Sequence, residues 1–136
     1  MAFIWTGNIN KLETPLRICR GGNGKIRITI SSKLSAQIIA KYGEHPYYRI
    51  GYDAANHKFA MRFQSTKARD WRKMGCLNKC HRMTVLITPD QLNATADELS
   101  GAYPDFSWRA DDQMYLADLR KRQPLIDKRG DELDAD

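Results

Sequence analysis

"GKIRITISSKL", residues 24–34, decides how the chain reads. Ile26, Ile28 and Ile30 alternate with Lys25, Arg27 and Thr29, the period of a strand with one apolar and one basic face. The run ends at Ser31 and Ser32, and Leu34 opens a different spacing. Leu34, Ile38 and Tyr42 recur every four residues, with Ile39 widening the stripe, so a short helix follows the strand. Gly43 stands where a left-handed residue commonly stops a helix. Beyond it, "YYRIGYD" (47–53) turns through "AANH" into "KFAMRF" (58–63), a hairpin with Tyr48, Ile50 and Tyr52 on one face.

The same order of signals recurs over 82–119. Met83, Val85 and Ile87 form an alternating strand, and Thr88, Pro89 and Gln91 make a capping box with proline at the first helical position. Leu92, Ala96, Leu99 and Tyr103 form a stripe that predicts a helix ending near Gly101. "DFSWRA" (105–110) then turns through "DDQ" into "MYLADL" (114–119). A helix from Asp111 to Arg122 also fits the spacing of Tyr115, Leu116 and Leu119; the hairpin is preferred because it matches the first unit. The expected organisation is one compact domain over 1–122. It holds two strand–helix–hairpin repeats, about 16–63 and 77–119, joined by a basic connector, 64–76. Residues 1–22 read as a leading strand, and "GGNG" (21–24) turns it into residue 25, with Gly21, Gly22, Gly24 and Asn23 permitting positive φ. Residues 123–136 read as a charged, flexible tail.

The length of 136 residues suits one such domain. No run of eighteen apolar residues exists to span a membrane, and no basic segment followed by an apolar one marks a secretory signal, so a cytoplasmic protein is expected. Charge is uneven. Residues 1–88 hold sixteen Lys/Arg against four Asp/Glu, a balance of +12, whereas residues 89–136 hold six against twelve, a balance of −6. A basic half of this kind suits a polyanion, with the acidic region held away from it. The three cysteines, Cys19, Cys76 and Cys80, argue against a disulfide framework. Cys76, Cys80 and His81 give a C-x3-C-H pattern, but zinc needs a fourth ligand, and Cys19 supplies one only by folding back. The thiols therefore read as buried or idle, with no metal and no cofactor.

Over residues 24–63 the first unit resembles the AbrB-type swapped-hairpin DNA-binding modules. "GKIRITISSKL", the helix after it, "YRIGYD" and "KFAMRF" carry the likeness. Thr29-Ile30-Ser31 stands where the family has Thr-Ile-Pro, with Thr88-Pro89 coming closer in the second unit. "EHPYYR" replaces the usual glycine–aspartate pair. The resemblance implies a mainly β, α+β fold with two short helices, built as a swapped-hairpin barrel. Family modules dimerise by exchanging hairpins, so two copies in one chain can pair with each other, and a homodimer is possible. The resemblance also implies a small bacterial or phage transcriptional regulator that presents arginines from strands and loops to duplex DNA.

The candidate DNA-binding residues are Arg17, Arg20, Lys25 and Arg27 around the glycine turn, and Lys67, Arg69, Arg72, Lys73, Lys79 and Arg82 of the connector and the start of the second unit. The plainer reading of Lys25 and Arg27 is that they keep an exposed strand soluble. The second unit replaces this outward face with Arg82 and Thr84, so it is expected to serve more as a folding partner than as a DNA binder. Trp71, set among Lys67, Arg69, Arg72 and Lys73, packs under the basic stems or stacks on a base. Trp5, Trp108, Tyr48 and Phe106 read as core. No P-loop, H-x-E zinc pattern or G-x-S-x-G is present, and the chain is not expected to be an enzyme. The alternative function is a protein-interaction module acting through the acidic half.

Overall fold

The structure, a computed structural model, describes residues 14–125; Trp5 and most of the tail lie outside the described residues. Among the described residues, nine strands form two antiparallel sheets. Strands β1 (Leu16–Arg20), β2 (Ile26–Ile30), β6 (Met83–Ile87) and β7 (Gly101–Tyr103) make sheet A in the order β6-β2-β1-β7. Strands β3 (Tyr47–Asp53), β4 (Lys58–Gln64), β5 (Arg72–Lys73), β8 (Ser107–Arg109) and β9 (Met114–Asp118) make sheet B in the order β5-β3-β4-β9-β8. Helix α1 spans Ser32–Tyr42 and α2 spans Ala96–Leu99. The fold is thus mainly β with two short helices, and both sheets are open. No helix among the described residues is long and apolar enough to cross a membrane.

Alternation decides the faces. Leu16, Ile18, Ile26, Ile28 and Ile30 of sheet A are fully buried, and Met83, Val85 and Ile87 nearly so. They join Phe59, Met61, Phe63, Tyr115 and Ala117 of sheet B in one core cluster. The sheets therefore face each other across that core, and their outward faces lie on opposite sides of the molecule.

The two units meet at their first and last strands. β2 pairs with β6 about Ile28 and Val85, and β4 pairs with β9 about Ala60 and Leu116. These are the registers that two copies related by a two-fold axis adopt. The rims follow the same logic. Lys41 of α1 reaches Trp108 of β8, its Nζ 4.1 Å from the ring centre. Tyr52 of β3 donates to Glu98 of α2 at 2.6 Å. Each helix thus touches the other unit's hairpin, although α1 also packs Tyr42 against Phe63 of its own. Ser35, fully buried on α1, donates to Ile30 O and accepts from Met83 N, which joins the helix to β2 and to β6, the first strands of the two units.

The first helix forms as its sequence predicts. Ser31 Oγ caps Leu34 N at 3.2 Å, and Gly43, at φ 103°, closes the helix through Ile39 O. The second differs. Its capping box forms, with Thr88 N donating to Gln91 Oε1 at 3.0 Å, but only a 3-10 turn, Pro89–Gln91, results. Asn93 turns left-handed at φ 52°, and Thr95 caps a fresh single turn, α2, through Glu98 N. Gly101 does not stop a helix. At φ 154° it opens β7, where a Cβ would lie 3.1 Å from Arg122 Cδ and 3.3 Å from Gln123 O. Only glycine admits that close approach at that angle.

Two segments are more ordered than their composition suggests. Within the connector, β5 adds an edge strand to β3, and Met74 is buried with its N–H donating to Pro46 O. Residues 123–125, read as the start of the tail, are tied down: exposed Gln123 exchanges both backbone hydrogen bonds with Ala102, and Leu125 is buried. The hairpin preferred over the 111–122 helix is present as β8 and β9. Tyr48 and Phe106 are buried, and Trp108 packs half-buried on the core.

Lys58 and Asp118 face each other across β4 and β9, and Arg120 completes the group with a second contact to Asp118 at 3.0 Å. Hydrogen bonds from Arg120 and then Lys58 hold the Asp118 carboxyl well below the usual carboxylate range. A depressed folded pKa stabilises the fold at pH values above the unfolded carboxylate's, and the benefit fades as pH falls through that value toward the folded one. Asp118→Asn should therefore lower the melting temperature at pH 7, with the gap from wild type closing below about pH 4. Thermal melts from pH 7 to pH 2 check this.

Candidate nucleic-acid interface

The outward face of sheet A is built from alternate residues of its four strands. Arg17 and Cys19 come from β1, Arg27 and Thr29 from β2, and Thr84 and Leu86 from β6, while Ala102 of β7, in the same register, is buried. No Asp or Glu occupies any of these positions. Cross-strand register sets Arg27 between Cys19 and Leu86, and Thr29 between Arg17 and Thr84. Arg27 is exposed and Arg17 half-buried. Leu86, 46% exposed, is the only large hydrophobic residue so exposed among the described residues, and it lies directly opposite Arg27.

The loops at the ends of this face add further cations. Asn23 and Gly24 take positive φ and carry β1 into β2, leaving Lys25 exposed at the turn. Gly21, by contrast, stays extended and packs beneath Leu86, whose Cδ2 would lie 2.9 Å from an added Cβ. Asn78 Nδ2 donates to Thr84 Oγ1 at 3.3 Å, while Asn78 Oδ1 accepts from Cys80 N and Arg82 N. These bonds fasten the 78–82 turn to the outward face and hold exposed Lys79 at its edge, with Arg82 half-buried at the turn's end.

The fold does not gather all ten predicted residues. Arg17, Lys25, Arg27, Lys79 and Arg82 lie on or around the outward face of sheet A. Arg20 does not: it sits opposite buried Ile26, three residues from Arg17 and so on the other side of the strand, and it pairs with Asp97 at 2.6 Å. Lys67 and Arg69 are exposed in the loop after β4. Arg72 and Lys73 form β5, beside Tyr48 and Tyr47 at the edge of sheet B, with Trp71 half-buried just before them.

Two cations escaped the sequence reading. Arg49 and Arg62 are exposed and directly opposite each other on the outward face of sheet B. The signal was present: placing Tyr48, Ile50 and Tyr52 inward leaves Arg49 outward, and the same alternation leaves Arg62 outward on β4.

Other chemistry is weakly provided for. Cys76, Cys80 and His81 are all exposed. Among the described residues, no group of three or more His, Cys, Asp or Glu could hold a metal ion. A cleft lined by Tyr52, His57, Glu98, Arg120 and Arg122 has its polar groups largely occupied with one another. Tyr52 donates to Glu98, Arg122 donates to the Glu98 carbonyl, and Arg120 binds Asp118. Burial, and then the bond to Glu98, push the Tyr52 hydroxyl up to about 12, so it stays protonated and bonded at neutral pH. This arrangement fastens α2 to β3. No family model matches the chain, and neither does any curated protein or solved structure.

Proposed function

We propose that this chain is a non-enzymatic DNA-binding protein, an AbrB-like regulator of bacterial or phage type, which grips duplex DNA with the outward face of sheet A. The observation that carries the reading is a four-stranded face with Arg17 and Arg27 at its centre, Lys25 and Lys79 at its ends and no carboxylate among its outward positions. Phosphates supply the anions that such a face lacks. An arginine on a rigid strand can also present its planar fork to a guanine edge, and Leu86 beside Arg27 offers an apolar contact of the kind a thymine methyl accepts. The cross-unit pairing of β2 with β6 and of β4 with β9 supports a swapped-hairpin arrangement of two units in one chain, here built from two open sheets.

Titrating a fluorescent random-sequence duplex with the full chain at several salt concentrations tests the proposal. Four phosphate contacts predict a log–log salt slope near −3.6, about a hundredfold loss of affinity between 50 and 200 mM salt. No binding at low salt would overturn it and favour a protein contact through the acidic half; binding indifferent to salt would overturn the phosphate grip.

A further inference from the structure

We infer that the molecule bridges two DNA duplexes, one on the outward face of each sheet. This rests on the DNA-binding reading of sheet A and adds a second site to it. The site is the outward face of sheet B at the end away from Asp118. Arg49 and Arg62 are direct cross-strand partners there. Like charges so placed repel and weaken the sheet, and no acid among the described residues pairs with either. Arg109, exposed on β8, pairs with Met114, which the β4–β9 register sets beside Arg62. Arg49, Arg62 and Arg109 therefore form one row across the sheet. Lys73 of β5, opposite Tyr47, adds a cation at the same end.

A row crossing three strand spacings is about 14 Å long, comparable with the ~12 Å major groove that separates two phosphate backbones. Asp53 and Asp118 sit at the other end of this face, whereas Asp111 and Asp112 are exposed in the β8–β9 turn just beyond Arg109, where Asp112 N donates to Arg109 O. Asp53 bonds Asn56, and Asp118 is engaged by Lys58 and Arg120. What remains on β3 and β4 is the pair of unmatched guanidinium groups of Arg49 and Arg62, the side chain best shaped to bind phosphate through two hydrogen bonds.

The two basic faces lie back to back across the core. Sheets pack about 10 Å apart, and outward side chains add several ångströms on each side. Duplexes on the two faces are thus separated by about two Debye lengths at physiological salt, where their mutual repulsion is largely screened.

The test is a co-capture experiment with the full chain. A biotinylated duplex on beads is mixed with a second, fluorescent duplex and increasing protein. Wild type should retain the fluorescent duplex, with retention passing through a maximum and falling as excess protein coats each duplex separately. Arg49→Ala/Arg62→Ala should bind a single duplex within about threefold of wild type yet retain at least fivefold less of the second. Arg49→Lys/Arg62→Lys should recover most of the bridging. Binding of one duplex without capture of another by wild type would overturn the inference and leave the sheet A reading standing. So would an Arg49→Ala/Arg62→Ala variant that bridges as well as wild type, since bridging would then come from self-association. Failure of wild type to bind any duplex would overturn both.

Discussion

Arg17→Ala/Arg27→Ala should bind duplex DNA at least tenfold more weakly than wild type at 100 mM salt, with its salt slope shallower by about two. Removing one cation–phosphate pair reduces the slope by about one, so a change of this size distinguishes two missing pairs from general damage to the protein. Both side chains point away from the core, Arg27 exposed and Arg17 half-buried, so the melting temperature should move by only a few degrees. Arg20→Ala is the matching control. It removes a cation of equal charge from the same strand, but one that faces the other way and pairs with Asp97. Its affinity should stay within about twofold of wild type. A loss for Arg20→Ala half that of the double variant on a logarithmic scale, the same per charge removed, would mean that the response tracks net charge and not the face. Fluorescence anisotropy across a salt series reads both quantities.

Ile28→Ala should be the most damaging single truncation in sheet A. Ile28 is fully buried and central, paired with Ile18 on one side and Val85 on the other. The Val85 pairing is where the first strands of the two units meet, so the cavity would open at the seam between them. Removing a buried isoleucine to alanine costs about 2–5 kcal/mol, the lost transfer energy plus the cavity left behind. For a domain of this size that is a fall in melting temperature of roughly 8–20 °C. Leu86→Ala on the neighbouring strand is the contrast: already 46% exposed, it should cost less than about 1 kcal/mol. Thermal and urea melts distinguish the two, and a small loss for Ile28→Ala would mean that the seam between β2 and β6 contributes little.

Much of the fold was legible because strands with one buried face write their alternation plainly. Ile26/Ile28/Ile30 and Met83/Val85/Ile87 gave strands, faces and limits, and Ser31 with Gly43 bounded α1. The second helix was not legible from its apolar stripe, since Leu92, Ala96, Leu99 and Tyr103 are satisfied equally by a turn, a one-turn helix and a strand. What broke the helix was Asn93 in the left-handed region and the new cap at Thr95. β5 escaped notice because two polar residues, Arg72 and Lys73, carry no periodicity; its pairing with Tyr47 and Tyr48 is a tertiary event. The candidate site was half legible. Arg17, Lys25 and Arg27 follow from alternation, whereas Arg20 was misplaced by counting cations without following the strand's two-residue period. Arg49 and Arg62 were overlooked because each lies within an otherwise apolar or aromatic hairpin strand, and only register makes them neighbours.

The most direct test of DNA binding by sheet A is a residue-by-residue map. Amide chemical shifts of the isotopically labelled chain would be followed as a short duplex is added in small steps. The account predicts that the largest early shifts fall at Arg17, Cys19, Lys25, Arg27, Thr29 and Thr84, and that they reverse when salt is raised. Binding that leaves these amides unmoved and shifts only residues elsewhere would contradict it.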